Sequence, residues 1–137
     1  MGCDAVILLD THTLIWLDQG SKKLGKKARK KIDAAFTEDL LSVSAITWWE
    51  VAMLQDKGRI KLPPIRSWYR ELIDMGLKEI PVDGLIGIGA VELEQFHGDS
   101  ADRLITDTAI LYNATLITAD KHILDWRGSL DRSNARH

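Results

Sequence analysis

Cysteine is nearly absent from this chain: Cys3 is the single one among 137 residues. No internal disulfide can form, and a reducing, cytoplasmic setting is the default expectation. Long apolar runs are missing too. None approaches the roughly 20 residues needed to cross a bilayer, so no membrane association is expected. The stretch Ala5 to Leu9 is too short for a secretory signal and is interrupted by Asp10. There is no internal repeat, low-complexity tract or linker. Residues 1–127 therefore read as one domain, and 128–137 as a polar tail, loosely held and without an apolar run for a last strand. A strong net charge is also lacking: the balance is −2, so bulk charge does not mark a nucleic-acid binder. The Gly-x-Ser-x-Gly elbow of serine hydrolases does not occur, nor does a complete Gly-x-x-x-x-Gly-Lys-[Ser/Thr] phosphate loop: Gly20 to Lys26 has the spacing, but Lys27 stands where the hydroxyl residue is needed. Four histidines, His12, His97, His122 and His137, show no metal-ligand spacing and read as structural or solvent-facing.

What is present is an alternation of short apolar runs and helical patterns. Val6–Leu9, Leu40–Val43, Leu77–Val82 and Ala114–Thr118 read as strands. Between them, Thr11–Leu17, Gly25–Phe36, Ala45–Lys57, a segment from Pro64 to Met75, Gly84–Gln95, Ala101–Tyr112 and Lys121–Trp126 read as helices. Ser44 and Ser100 are placed to cap the helices after them; Gly58, Gly76 and Asn113 are placed as stops. Gly84, Gly87 and Gly89 weaken the helical pattern around them. Apart from Leu77–Val82, which carries Lys78 and Glu79, the strands read as apolar runs rather than as in–out alternation, as in a parallel sheet covered on both faces. The fold expected is α/β, a three-layer α/β/α sandwich with a central parallel sheet.

Four acidic residues stand out by position. Asp10 and Asp120 each follow a strand, and sites in open α/β sheets form at the carboxyl ends of strands. Glu50 falls between Ile46 and Leu54 on the apolar side of its helix, where a glutamate needs a partner. Asp102 lies in the first turn of its helix and shares a face with Ile105, Thr106 and Ala109. Each has a plainer reading. Asp10 and Asp120 can cap helices, Asp102 can answer the helix dipole, and Glu50 can pair with a buried Lys or Arg. If the four converge, however, they repel: two carboxylates 4 Å apart cost about 4 kcal/mol at an effective dielectric of 20. Such a cluster calls for raised pKa values or a hard divalent cation, and a cation held by carboxylates suits phosphodiester hydrolysis.

Two further features have a place in this reading. Seven of the eighteen Lys and Arg residues fall between Lys22 and Lys31. Among them Lys26, Lys27 and Lys30 could bind RNA phosphates, although a solvated helix face explains the run as well. Of the five tryptophans, Trp48 and Trp49 straddle one helix, so one is expected in the core and the other at the surface; Trp16, Trp68 and Trp126 read as core or interface residues.

The segments that carry the acids resemble the motifs of PIN-domain nucleases of the VapC toxin type. Leu8 to Trp16 resembles the opening motif, Ser44 to Ala52 the second with its glutamate, His97 to Ile105 the third, and Leu116 to Asp120 the fourth. The resemblance runs from about residue 6 to 127. It implies a PIN-like fold, Mg²⁺ or Mn²⁺, and endonucleolytic cleavage of RNA, with Asp10, Glu50, Asp102 and Asp120 as the acidic cluster and Asp10, Asp102 and Asp120 as metal ligands. Thr11 and Thr118 match hydroxyl positions that support the carboxylates, and Asp99 matches a cap or supporting residue. A VapB-like antitoxin partner and a homodimer are implied as well. Other readings of a strand followed by Asp fit less well. A haloacid-dehalogenase-like phosphatase needs a second Asp where this chain has His12. A phospho-receiver module needs a pair of acids after an early strand, and would leave Glu50 and Asp102 unused. A PIN-fold scaffold without nuclease activity keeps the fold but gives the four acids no task.

Overall fold

A computed structural model of the protein describes residues 5–137; Cys3 lies outside them. The strands are β1 (Ile7–Leu9), β2 (Leu41–Ser44), β3 (Lys78–Ile80), β4 (Thr115–Thr118) and β5 (Arg132–Asn134). The helices are α1 (Thr11–Gln19), α2 (Lys26–Thr37), α3 (Ile46–Asp56), α4 (Ile65–Met75), α5 (Gly84–Glu92), α6 (Ser100–Leu111) and α7 (Lys121–Asp125). Five strands form one sheet in the order β3-β2-β1-β4-β5, and every pairing is parallel.

Each central strand sends alternate residues to opposite faces, and both faces are covered. Leu9, Val43 and Ile117 join one core with Leu14, Ile15, Ile32, Val51 and Trp68. Leu8 and Leu116 join the other with Phe96, Ile105, Ala109 and Ile123. A strand buried on both sides has no solvent face to show, which is why these runs carry no charge and their polar residues are small hydroxyls such as the buried Ser42, Ser44 and Thr118. The layered sandwich expected from the sequence is the architecture observed. Among the described residues, no helix is long and apolar enough to cross a membrane.

Local signals account for most boundaries. Gly20 and Gly76 end α1 and α4 in the left-handed conformation, Gly58 follows α3 at φ 71°, and Asn113 takes φ 51° just after α6. Helix α5 forms despite its glycines. At Gly89 a Cβ would come within 2.4 Å of the Asp107 carboxylate on α6, so the missing side chain lets the two helices approach. Two expectations are corrected. The N-cap of α6 is Asp99 rather than Ser100; its carboxylate accepts from the Asp102 N–H at 2.9 Å. The residues after Gly128 are not a loosely held tail: Arg132–Asn134 pair with β4 as an edge strand, and Ala135 is fully buried. An edge strand of this length is held by backbone hydrogen bonds and one small buried side chain, so no apolar run announces it.

The chain lays β1, β2 and β3 outward in one direction, then returns to place β4 and β5 on the other side of β1. The direction of winding therefore switches between β1 and β4, and a crevice opens there at the carboxyl ends of the strands.

Candidate active site

The β1–β4 register pairs Leu9 with Ile117, so the next residues, Asp10 and Thr118, leave the sheet side by side. The Thr118 hydroxyl donates to Asp10 Oδ2 and accepts from the Asp120 N–H at 3.0 Å. One threonine thus ties together the acids that follow two strands. Asp10 Oδ1 accepts from the Thr13 N–H at 3.0 Å and so caps α1. Asp10 is only 7% exposed. Burial pushes its carboxyl above the usual range, against the hydrogen bonds from Thr118 and Thr13.

Glu50 reaches the crevice from α3. Among the described residues no buried Lys or Arg accompanies it; its partner is the Thr11 hydroxyl, which donates to Oε1. Burial raises its pKa, with Thr11 opposing and the nearby Asp99 and Asp10 charges adding to the rise. Asp102, half-buried on the first turn of α6, has its pKa raised to about 7. Burial is the largest cause, followed by repulsion from Asp99, Asp120 and Glu50. Asp120 caps α7, accepting from the His122 N–H at 2.8 Å and the Ile123 N–H at 3.3 Å.

These side chains line one cavity of about 290 Å³: Asp10, Thr11, Glu50, Asp99, Asp102 and Asp120, with His12, Trp16, Ala119 and Arg136 at its sides. The structure thus brings the four acids of the sequence reading together, with Asp99 and Thr11 beside them and Thr118 in contact beneath. Lys26, Lys27 and Lys30 do not reach this cavity; they are exposed on α2. A larger hollow of about 860 Å³ includes His97, Lys121, His122 and Trp126 with the carboxylates of Glu94 and Asp125, but none of the four acids. The sequence reading missed His12, Trp16 and Arg136 as cavity residues. His12 and Trp16 follow from helical phase, lying one turn apart on α1. Arg136 depends on β5, for which the sequence carries no apolar signal.

Among the described residues, no three His, Cys, Asp or Glu side chains form a ready-made cage for an ion. Each carboxylate is instead turned onto a local donor. The donor set is nevertheless all oxygen, and burial together with the charges of Asp99, Asp120 and Glu50 raises the pKa of Asp102 to about 7. A site with that deficit of positive charge fits a hard divalent cation.

A model of the PIN domain matches residues 7–127. The chain belongs to the PIN-domain family. Ribonuclease VapC22 of Mycobacterium tuberculosis is 35% identical to it over 123 residues, which make up 88% of this chain and 92% of that relative. Among solved structures, this PIN domain superposes on one chain of a toxin–antitoxin complex from Klebsiella pneumoniae with a TM-score of 0.60 and 22% identity, covering 88% of this chain and 92% of that one. It superposes on a chain of VapBC2 from Rickettsia felis, bound to a promoter DNA fragment, with a TM-score of 0.67 and 18% identity, covering 94% and 98%. At those identities the two superpositions establish the fold. The resemblance read from the acidic motifs therefore holds at the level of the family.

Proposed function

We propose that this PIN domain is a divalent-metal-dependent endoribonuclease and the toxin half of a toxin–antitoxin pair. One observation carries the reading: five carboxylates from separate parts of the chain share a small cavity at the switch point of the sheet. The relationship to ribonuclease VapC22 supports RNA as the substrate.

In this reading Asp10, Asp102 and Asp120 hold Mg²⁺ or Mn²⁺. A cation bound there supplies charge neutralisation at the scissile phosphate and acidifies the attacking water. The protein's own groups prepare the site. Thr118 and the Thr13 N–H fix Asp10 in one orientation. Thr11 holds Glu50 at the edge, where its raised pKa suits it to take up a proton during attack. Asp99 keeps α6 capped so that Asp102 projects into the cavity.

The partners follow from the surfaces. An apolar groove of about 280 Å³ between α1, α2 and α4, lined by Leu14, Leu17, Phe36, Leu72 and Met75, suits an amphipathic antitoxin segment. The toxin–antitoxin complexes among the structural neighbours support such a partner. A homodimer is proposed through α5, which presents Leu85, Ile88 and Val91 to solvent.

The test is cleavage of RNA by the purified chain, wild type against Asp10→Asn, with and without EDTA, followed by sequencing of the new RNA ends. Wild-type cleavage that needs Mg²⁺ or Mn²⁺, and falls at least about 100-fold in Asp10→Asn, is expected from the loss of a ligand and its charge. Equal activity in the two proteins would sink the assignment.

A further inference from the structure

The acidic cavity has one arginine in its wall, and it comes from the end of the chain. Arg136 lies 5.1 Å over the Trp16 ring on α1. The same indole has Lys23 Nζ at 5.9 Å. Five carboxylates line the cavity beside Arg136, yet it forms no ion pair with them. Among the described residues the ion pairs are Lys78–Asp39 and His122–Asp120. Arg136 is exposed, and a guanidinium held over an indole face keeps its N–H groups free to donate to another acceptor.

Its position is set by the backbone. The Ala135 N–H donates to Thr118 O at 2.8 Å, and Ala135 O accepts from the Gly25 N–H at 2.8 Å. The Arg136 N–H donates to Asn134 Oδ1 at 2.9 Å, and His137 O accepts from the Ala28 N–H at 3.1 Å. Gly25 has no side chain where one would strike this segment: a Cβ there would stand 1.8 Å from His137 O. Thr118 is the common reference. Its hydroxyl holds Asp10 and its carbonyl holds Ala135, so the arginine is registered to the acids through one residue.

From this geometry we propose that Arg136, stacked on Trp16, binds a phosphodiester of the RNA backbone at the rim of the acidic cavity. The proposal rests on the nuclease reading and deepens it. A polyanion must approach a wall of carboxylates, and a planar, fixed, permanently charged fork at the edge of that wall grips phosphate through two hydrogen bonds. The acids and their cation act on the phosphate that is cut; Arg136 holds the strand beside it.

The test uses the full chain and a fluorescein-labelled single-stranded RNA, with Mg²⁺ present and Asp10→Asn in every protein to prevent cleavage. Anisotropy gives Kd across a KCl series. Arg136→Gln is expected to raise Kd about tenfold or more, as for loss of a hydrogen bond to a charged group. The slope of log K against log salt should become shallower by about 0.7, the value for one lost phosphate contact on a single strand. Arg136→Lys should keep the salt slope but bind with intermediate affinity, because charge is retained and the fork is not. Lys78→Gln, on the opposite edge of the sheet, should change neither. Thermal unfolding accompanies each variant; a merely structural stacking role would lower Tm and leave the salt slope alone. An unchanged Kd and slope in Arg136→Gln, or an equal change in Lys78→Gln, would overturn the proposal. Failure of the nuclease reading shows elsewhere, as equal RNA cleavage by wild type and Asp10→Asn.

Discussion

Asp10 does two jobs with two oxygens. Oδ1 caps α1 through the Thr13 N–H while Oδ2 takes the Thr118 hydroxyl. Asp120 likewise caps α7 and faces the cavity. Capping and candidate catalysis were rival readings of these residues in the sequence; a carboxylate at a strand-to-helix junction satisfies both. The crowding has a consequence for pH. Asp10, Glu50 and Asp102 all have raised pKa values, with Asp102 at about 7. An unfolded carboxyl titrates near 4, so between that pH and 7 the metal-free folded chain binds more protons than the unfolded one. Its stability is therefore greatest at the acid end of this window and falls as pH rises. Tm of the EDTA-treated protein is expected to be higher at pH 5 than at pH 8. Asp102→Asn should flatten that dependence, and Mg²⁺ should restore Tm at pH 8. A metal-free Tm that climbs from pH 5 to pH 8 would contradict the carboxylate crowding. The four acids were legible because strand ends and helical phase fix where such side chains point. Arg136 was not, because its place depends on hydrogen bonds between the backbones of distant segments.

At the scale of elements, β5 is the part the sequence hid. Central strands of a doubly covered sheet must be free of charge and mainly apolar, and β1, β2 and β4 read as such, with only Ser and Thr among their polar residues. An edge strand is under no such demand: Arg132, Ser133 and Asn134 are each half-buried. What holds the segment is pairing with β4, the burial of Ala135 and its docking on the start of α2 at Gly25. Gly25 is the sensitive point, since a methyl group there meets main-chain atoms that cannot rotate aside. Gly25→Ala is expected to push the 135–137 segment off α2 and to destabilise the protein by about 1–3 kcal/mol, the usual range for overpacking. Urea unfolding measures the loss. RNA affinity should fall with it toward that of Arg136→Gln. A Gly25→Ala protein with the parent's stability would show that the segment tolerates displacement. The cap of α6 is a smaller lesson. Asp99 and Ser100 are both good caps, and the sequence alone does not choose between neighbours.

For the whole molecule, the exposed face of α5 is the largest departure from an ordinary surface helix. Leu85, Ile88 and Val91 are 68%, 60% and 79% exposed at successive turns, and Ile110, Leu111 and Tyr112 are exposed at the end of the adjoining α6. A patch of this kind on a small chain suits an isologous contact about a two-fold axis. Ile88→Asp is expected to convert a dimer of wild-type protein to monomer, or raise its dissociation constant at least about tenfold, by burying an unpaired charge in the contact. Light scattering across a concentration series reads the change; a wild-type protein that is monomeric throughout would leave α5 without its proposed partner.

Thr118 reaches back 108 residues to hold Asp10, and this separation has a meaning during synthesis. Residues emerge from the ribosome in order, N-terminus first. A nascent chain carries Asp10 and Glu50 long before β4 exists to bring Thr118 and Asp120 beside them. The acidic cavity can close only once β4 has been made, and Arg136 arrives after that. A message broken or abandoned before codon 118 therefore yields fragments that lack an assembled site. For a protein that attacks RNA, incomplete translation would be harmless to the cell that attempted it.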